Sequence, residues 1–129
     1  MTKIKEADIR RRELEIVNAR ITDAELSMAD HGCLTMWLTL EGEGWGIGYG
    51  GYCLGKGYLG ADTFEGSAKS LEYIMRIMDT VGVERFSDLK GKYVRMVNPG
   101  LGGCADIIGN IIEDKWFSAK DFFKKESDE

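Results

Sequence analysis

The chain has 129 residues, a mass of 14.4 kDa and a net charge of -5 from 17 basic and 22 acidic side chains. That length fits one domain spanning residues 1–129. The acidic balance speaks against wrapping long nucleic acid, where phosphate neutralisation supplies most of the affinity. No apolar run nears the ~20 residues of a membrane helix. The opening Met1-Thr2-Lys3-Ile4-Lys5-Glu6 lacks the apolar segment of a secretory signal, so the expected location is cytoplasmic.

Residues 1–12 are charged and end in Arg10-Arg11-Arg12, which reads as a mobile or short helical arm. Residues 14–28 carry a strand pattern whose apolar parity changes at Ile16/Val17 and near Asp23, the mark of a bulge or bend. Asp30-His31-Gly32 supplies a turn. The next strand alternates cleanly, with Leu34, Met36, Leu38 and Leu40 on one face, and Glu41-Gly42-Glu43-Gly44 turns it back. On the return strand Trp45, Ile47 and Tyr49 share a face, and the parity flips at Gly50-Gly51 to Tyr52 and Leu54. Adjacent glycines at a parity flip predict a bulge.

After a loop over residues 55–66 the period becomes helical, with Leu71, Ile74, Met75, Met78 and Val81 in register. Ser67 is the expected N-cap and Gly82 the expected C′ residue. Residues 83–89 form an irregular turn, and residues 92–97 a strand. Asn98-Pro99-Gly100 turns the chain, and residues 106–112 form a β-branched strand. Ser118 opens a final short helix carrying Phe122 and Phe123, and a solvated tail covers 124–129. The expected fold is α+β, with an antiparallel, bulged β-sheet of about five strands, one main helix and a short C-terminal helix.

Cys33, Cys53 and Cys104 are odd in number and contain no C-x-x-C pair. That argues against a zinc site and a disulfide framework, and buried free thiols in a reducing compartment are expected. His31 is the only histidine and sits beside Asp30 in a turn. No spaced carboxylate pair accompanies it, so the chain reads as a binder without a metal or other cofactor rather than as an enzyme.

The chain holds 17 glycines, about twice the usual ~7%. They fail the P-loop and dinucleotide fingerprints, because aromatic strand residues surround Gly46, Gly48, Gly50 and Gly51. Trp45, Tyr49 and Tyr52 offer ring faces for a base, and core packing is the competing use. The anion candidate is the segment with Arg85, Lys90, Lys92 and Arg95 leading into the turn Asn98, Pro99, Gly100, Leu101, Gly102 and Gly103. Backbone N–H groups of such turns hold phosphate oxygens, and arginine binds them bidentately.

Four stretches together carry a resemblance. They are Asp30-His31-Gly32-Cys33-Leu34-Thr35, the run from Gly46 through Tyr52, Val81-Gly82-Val83-Glu84 with Leu89 through Arg95, and Ile108-Gly109-Asn110 with Asp114-Lys115-Trp116-Phe117. In this order they resemble small phage and prophage proteins of the Thoeris anti-defence protein 1 family, over residues 14–123. The resemblance implies a non-enzymatic sponge that sequesters cyclic ADP-ribose isomers and leaves them intact. It also implies homo-oligomers with pockets shared between protomers, working in the cytoplasm of the infected bacterium. Some members hold cyclic oligonucleotides at separate sites. The implied pocket stacks an aromatic on adenine with arginine and asparagine nearby, for which Phe86, Arg95 and Asn98 are the matching residues here. Gly102, Gly103 and Tyr52 complete the expected ligand set. The alternative is an acidic phage inhibitor that docks on a host nuclease through its negative surface.

Overall fold

A computed structural model describes residues 4–100 and 105–127. In chain order the elements are α1 (Glu6–Arg11), β1 (Ile16–Asp30), β2 (Cys33–Gly42), β3 (Trp45–Gly50), β4 (Gly55–Lys56), α2 (Ala68–Val81), β5 (Tyr93–Val97), β6 (Ile107–Asn110), β7 (Trp116–Ser118) and α3 (Ala119–Ser127). The strands form one sheet of seven, ordered β3-β2-β1-β5-β6-β7, with β4 paired to β2 beyond β3. All these pairings are antiparallel. The class is therefore α+β as expected, but seven strands replace about five. The two unforeseen strands, β4 and β7, have two and three residues, too few to show a period.

The β1–β2 hairpin dominates the sheet. Its register shifts between Ile21 and Asp23, where the sequence changes parity. The bulge returns Ala24 and Leu26 to the face that carries Ile21. That face holds the main core, where Met36, Leu38, Leu40, Tyr49 and Ile108 meet Tyr73 and Ile77 of α2. Burying each such aliphatic side chain contributes about 1.5–3 kcal/mol. Tyr49 is fully buried, because its pairing with Leu38 turns it to the core. It presents no ring to solvent, so of the two uses the sequence leaves open for it, core packing is the one adopted.

The ends of α2 follow the sequence. The Ser67 side chain accepts from the Ser70 N–H at 3.0 Å, and Gly82 takes φ 94° as the left-handed cap. Gly50 and Gly51 adopt φ 116° and 86°, as the parity flip required. The opposite sheet face is covered at one end by α1. Ile9 is fully buried there against Val97, Ile107 and Trp116. The helical form of the N-terminal arm is the one adopted, and it is docked. α3 extends to Ser127, into what the sequence reads as tail.

Cys33 and Cys53 are joined by a disulfide, with Cα atoms 5.2 Å apart. This overturns the expectation of free thiols at these two positions. The bulge at Gly50-Gly51 brings Cys53 back beside the start of β2, a proximity that spacing in sequence does not reveal. Cys104 lies outside the described residues.

Candidate functional site

Of the residues expected to bind ligand, the four that are described, Phe86, Arg95, Asn98 and Tyr52, do not form one pocket within the chain. Arg95 stands on the α1 face of β5, with its guanidinium 4.6 Å from the Trp116 ring centroid. Its Nε donates to Asn110 O at 2.8 Å, Nη1 to Glu6 Oε1 at 2.7 Å and Nη2 to Glu113 O at 2.9 Å. The side chain is 14% exposed, and these contacts fasten α1 to the turn after β6. Phe86 sits in a 3-10 turn, Phe86–Asp88, and packs against the main core on the opposite sheet face. Asn98 is exposed. Its Nδ2 donates to Glu15 Oε1 at 2.7 Å, and its Oδ1 accepts from the Gly100 N–H at 2.9 Å.

Tyr52 lies in an aromatic cluster, 4.6 Å from Phe123 and 5.7 Å from Tyr73 between ring centroids. Gly102 and Gly103 fall outside the described residues. His31 is an exposed turn residue with φ 52° between β1 and β2.

Two clefts remain. One, of about 430 Å³, lies between the 113–118 turn and α2. Its charged lining is Lys5, Arg76 and Lys115 against Asp79, Glu113, Asp114 and Asp121. Arg76 is paired with Glu72, and Lys115 with Asp79. With four carboxylates to three cations, two of them already neutralised, it suits an anion poorly.

The other cleft, of about 530 Å³, opens between the β1–β2 hairpin, the 54–66 segment and the start of α2. Pockets of roughly 300–1,000 Å³ accommodate small organic ligands. Met28, Leu34, Leu54, Leu71 and Ile74 give it an apolar floor. The 54–66 segment is held by paired bonds between Lys56 and Glu65, each N–H donating to the other's carbonyl at 2.9 Å. That pairing brings Lys56 and Phe64 to the same rim. Phe64 is 60% exposed, and its ring lies against Gly57, where a Cβ would collide with it.

At the far rim α2 begins. Its first turn contains no acidic residue, so no carboxylate of the helix's own first turn offsets the positive end of this 14-residue helix. The N–H groups of Ala68 and Lys69 have no partner within the helix by its geometry. Ser67 and Ser70 add hydroxyls to the lining, and Glu65 is the one carboxylate there. An apolar floor, an open aromatic ring, one lysine and a helix N-terminus together match a ligand that is part planar and part anionic.

In the sequence Ser67 reads as a cap and residues 55–66 as a loop. The clue was Gly57, a glycine needed for a ring seven residues further on, and only the folded loop reveals that. Comparison with protein-family models, with curated proteins and with solved structures finds no match for this chain.

Proposed function

We propose that this chain is a phage anti-defence protein that captures a cyclic ADP-ribose-type nucleotide and holds it intact. Held there, the signal is withheld from a bacterial Thoeris-type immune effector in the infected cell. The observation that carries the binding reading is the juxtaposition of Phe64, Lys56 and the α2 N-terminus around one apolar cleft. A purine ring stacks on an aromatic side chain for ~1–3 kcal/mol. A pyrophosphate is held by helix N–H groups and a lysine. The sequence resemblance supplies the ligand class, and the cleft supplies the chemistry that such a ligand needs. The resemblance further implies a homo-oligomer.

Calorimetric titration with cyclic ADP-ribose tests the site. Lys56→Glu and Phe64→Ala should each weaken binding about ten- to a hundredfold, the equivalent of losing one charge-assisted bond or one stacking contact. Both side chains are exposed, so the melting curves should not move. Wild-type affinity in both variants, with weakened binding in Asn98→Ala, would put the ligand at the Asn98 turn instead.

A further inference from the structure

The Cys33–Cys53 bridge stands at the back of the candidate cleft. Side chains alternate along β2, so Cys33 points to the sheet face away from Leu34. Leu34 and Leu54, each next in sequence to one of the cysteines, line the cleft, and neither cysteine does. Cys53 is exposed and Cys33 partly buried. A thiol in solution therefore reaches the bridge without entering the cleft.

The segment that carries Lys56 and Phe64 has few fastenings to the sheet. The Leu54 N–H donates to Leu34 O at 2.7 Å, and the Gly57 N–H to Gly32 O at 2.8 Å. β4 adds two rungs of ladder, Gly55 against Leu34 and Lys56 against Cys33. Beyond Gly57 the segment's backbone bonds among the described residues stay within it, from Ala61 to Tyr58 and between Lys56 and Glu65. Tyr58, Leu59 and Phe64 are 68%, 91% and 60% exposed, so burial of these rings and chains adds little.

The bridge is the covalent member of that set. It pins Cys53, where the chain enters the segment, to the start of β2 with Cα atoms 5.2 Å apart. With it closed, Leu54 and β4 stay on β2. With it open, the wall hangs on a few hydrogen bonds, each weak in water, and opens locally. Neither cysteine belongs to the main core, so the sheet and α2 remain packed.

We propose that the Cys33–Cys53 bridge is a site of thiol–disulfide exchange with a dithiol, and that its state sets the affinity of the Phe64 cleft. A thiolate of the dithiol attacks Cys53 Sγ, the S–S bond breaks, and Cys33 leaves as a thiolate. The second thiol then attacks the mixed disulfide and releases Cys53. The dithiol gives up two electrons and ends as a disulfide, and its two protons end on Cys33 and Cys53. Once reduced, the chain must order Leu54, Lys56 and Phe64 when ligand arrives, and that ordering costs affinity. Coupling is reciprocal, so a ligand that prefers the bridged form also protects the bridge from reduction. The exchange and the hold on the wall rest on the bridge alone. The effect on affinity rests on the binding function proposed above.

A Cys104→Ser background leaves this pair as the only cysteines. Hydrogen exchange read by mass spectrometry should be faster over residues 54–66 in reduced than in oxidised dithiothreitol, with α2 and β1 unchanged and the melt still cooperative. Calorimetric titration with cyclic ADP-ribose should give an affinity about tenfold lower for the reduced protein, within the usual span of such couplings. Saturating cyclic ADP-ribose should then shift the dithiothreitol ratio that half-reduces the bridge about tenfold toward the reductant, ~30 mV for a two-electron couple. The double substitution Cys33→Ser, Cys53→Ser should match the reduced protein at every ratio. Equal exchange over residues 54–66 in both states, or reduction only on global unfolding, overturns the exchange site. Faster exchange with equal affinity refutes control of the cleft. Absence of binding in both states fails the binding function instead, and hydrogen exchange still decides whether the bridge holds the wall.

Discussion

Arg95→Ala should lower stability by about 3 kcal/mol, from the loss of hydrogen bonds that each contribute ~1.5–3 kcal/mol when charged and partly offset by rehydration of the freed acceptors. The melting temperature should fall by roughly 10 °C. Arg95 holds Asn110 O, Glu113 O and Glu6 at once while covering Trp116. Its loss releases α1, so Ile9 leaves the Val97, Ile107 and Trp116 cluster. Arg95→Lys should recover only part of this, because an ammonium cannot span three acceptors as a planar fork does.

The same network makes α1 docking acid-sensitive. Hydrogen bonds from Arg10 and then Arg95 hold the Glu6 carboxyl below its ordinary value of 4.5. The Glu6 N–H, followed by Trp116 Nε1, holds the Asp114 carboxyl below its ordinary value of 3.8. Both are depressed acids, so their stabilisation is complete above the ordinary values and is lost as pH falls through the folded ones. Tryptophan fluorescence should therefore report α1 release on acidification. The Arg95→Ala variant, already released, should show a flatter curve. A native melting temperature in that variant would show that Arg95 is not the fastening.

Tyr73→Ala should cost about 4 kcal/mol, in the range for deleting a buried aromatic side chain. Tyr73 is fully buried and lies within 5.0 to 6.4 Å of Phe123, Tyr52, Phe117 and Phe122 between ring centroids. Truncation would remove the centre of that cluster and leave a cavity between α2, α3 and the sheet. Tyr73→Phe should behave in the opposite way. Neither the Tyr73 nor the Tyr49 hydroxyl has a hydrogen-bond partner among the described residues. Burial raises both phenols above their ordinary value, so both are neutral at neutral pH. An unpaired buried hydroxyl costs ~1–3 kcal/mol, so removing it should raise stability by about 1 kcal/mol. Denaturant titration of the two variants separates ring from hydroxyl. A destabilised Tyr73→Phe would mean that the hydroxyl is satisfied after all, through a buried water.

Local rules explain which parts of the fold were legible in the sequence. The alternation from Leu34 to Leu40, the Ser67 and Gly82 caps and the bend at Gly50-Gly51 depend on neighbours within a few residues, and all three appear as expected. What escaped depends on distant partners. Arg95 reads as a free cation because its acceptors lie 15, 18 and 89 residues away. Cys33 and Cys53 meet only because the strand kinks between them. Tyr49 reads equally as a core ring or a ligand-facing ring until its pairing with Leu38 fixes its face. The candidate cleft was hidden for the same reason. Lys56 and Phe64 share a rim only once the 54–66 segment folds back on itself.

Capture of the nucleotide without cleavage is tested by recovering the bound ligand. The protein is mixed with cyclic ADP-ribose and freed of unbound ligand by gel filtration. It is then heat-denatured, and the supernatant is analysed by chromatography and mass spectrometry. Intact cyclic ADP-ribose should be released in proportion to protein. Linear ADP-ribose in the supernatant would make the protein an enzyme. A supernatant without nucleotide would contradict capture and leave inhibition by docking on a host protein.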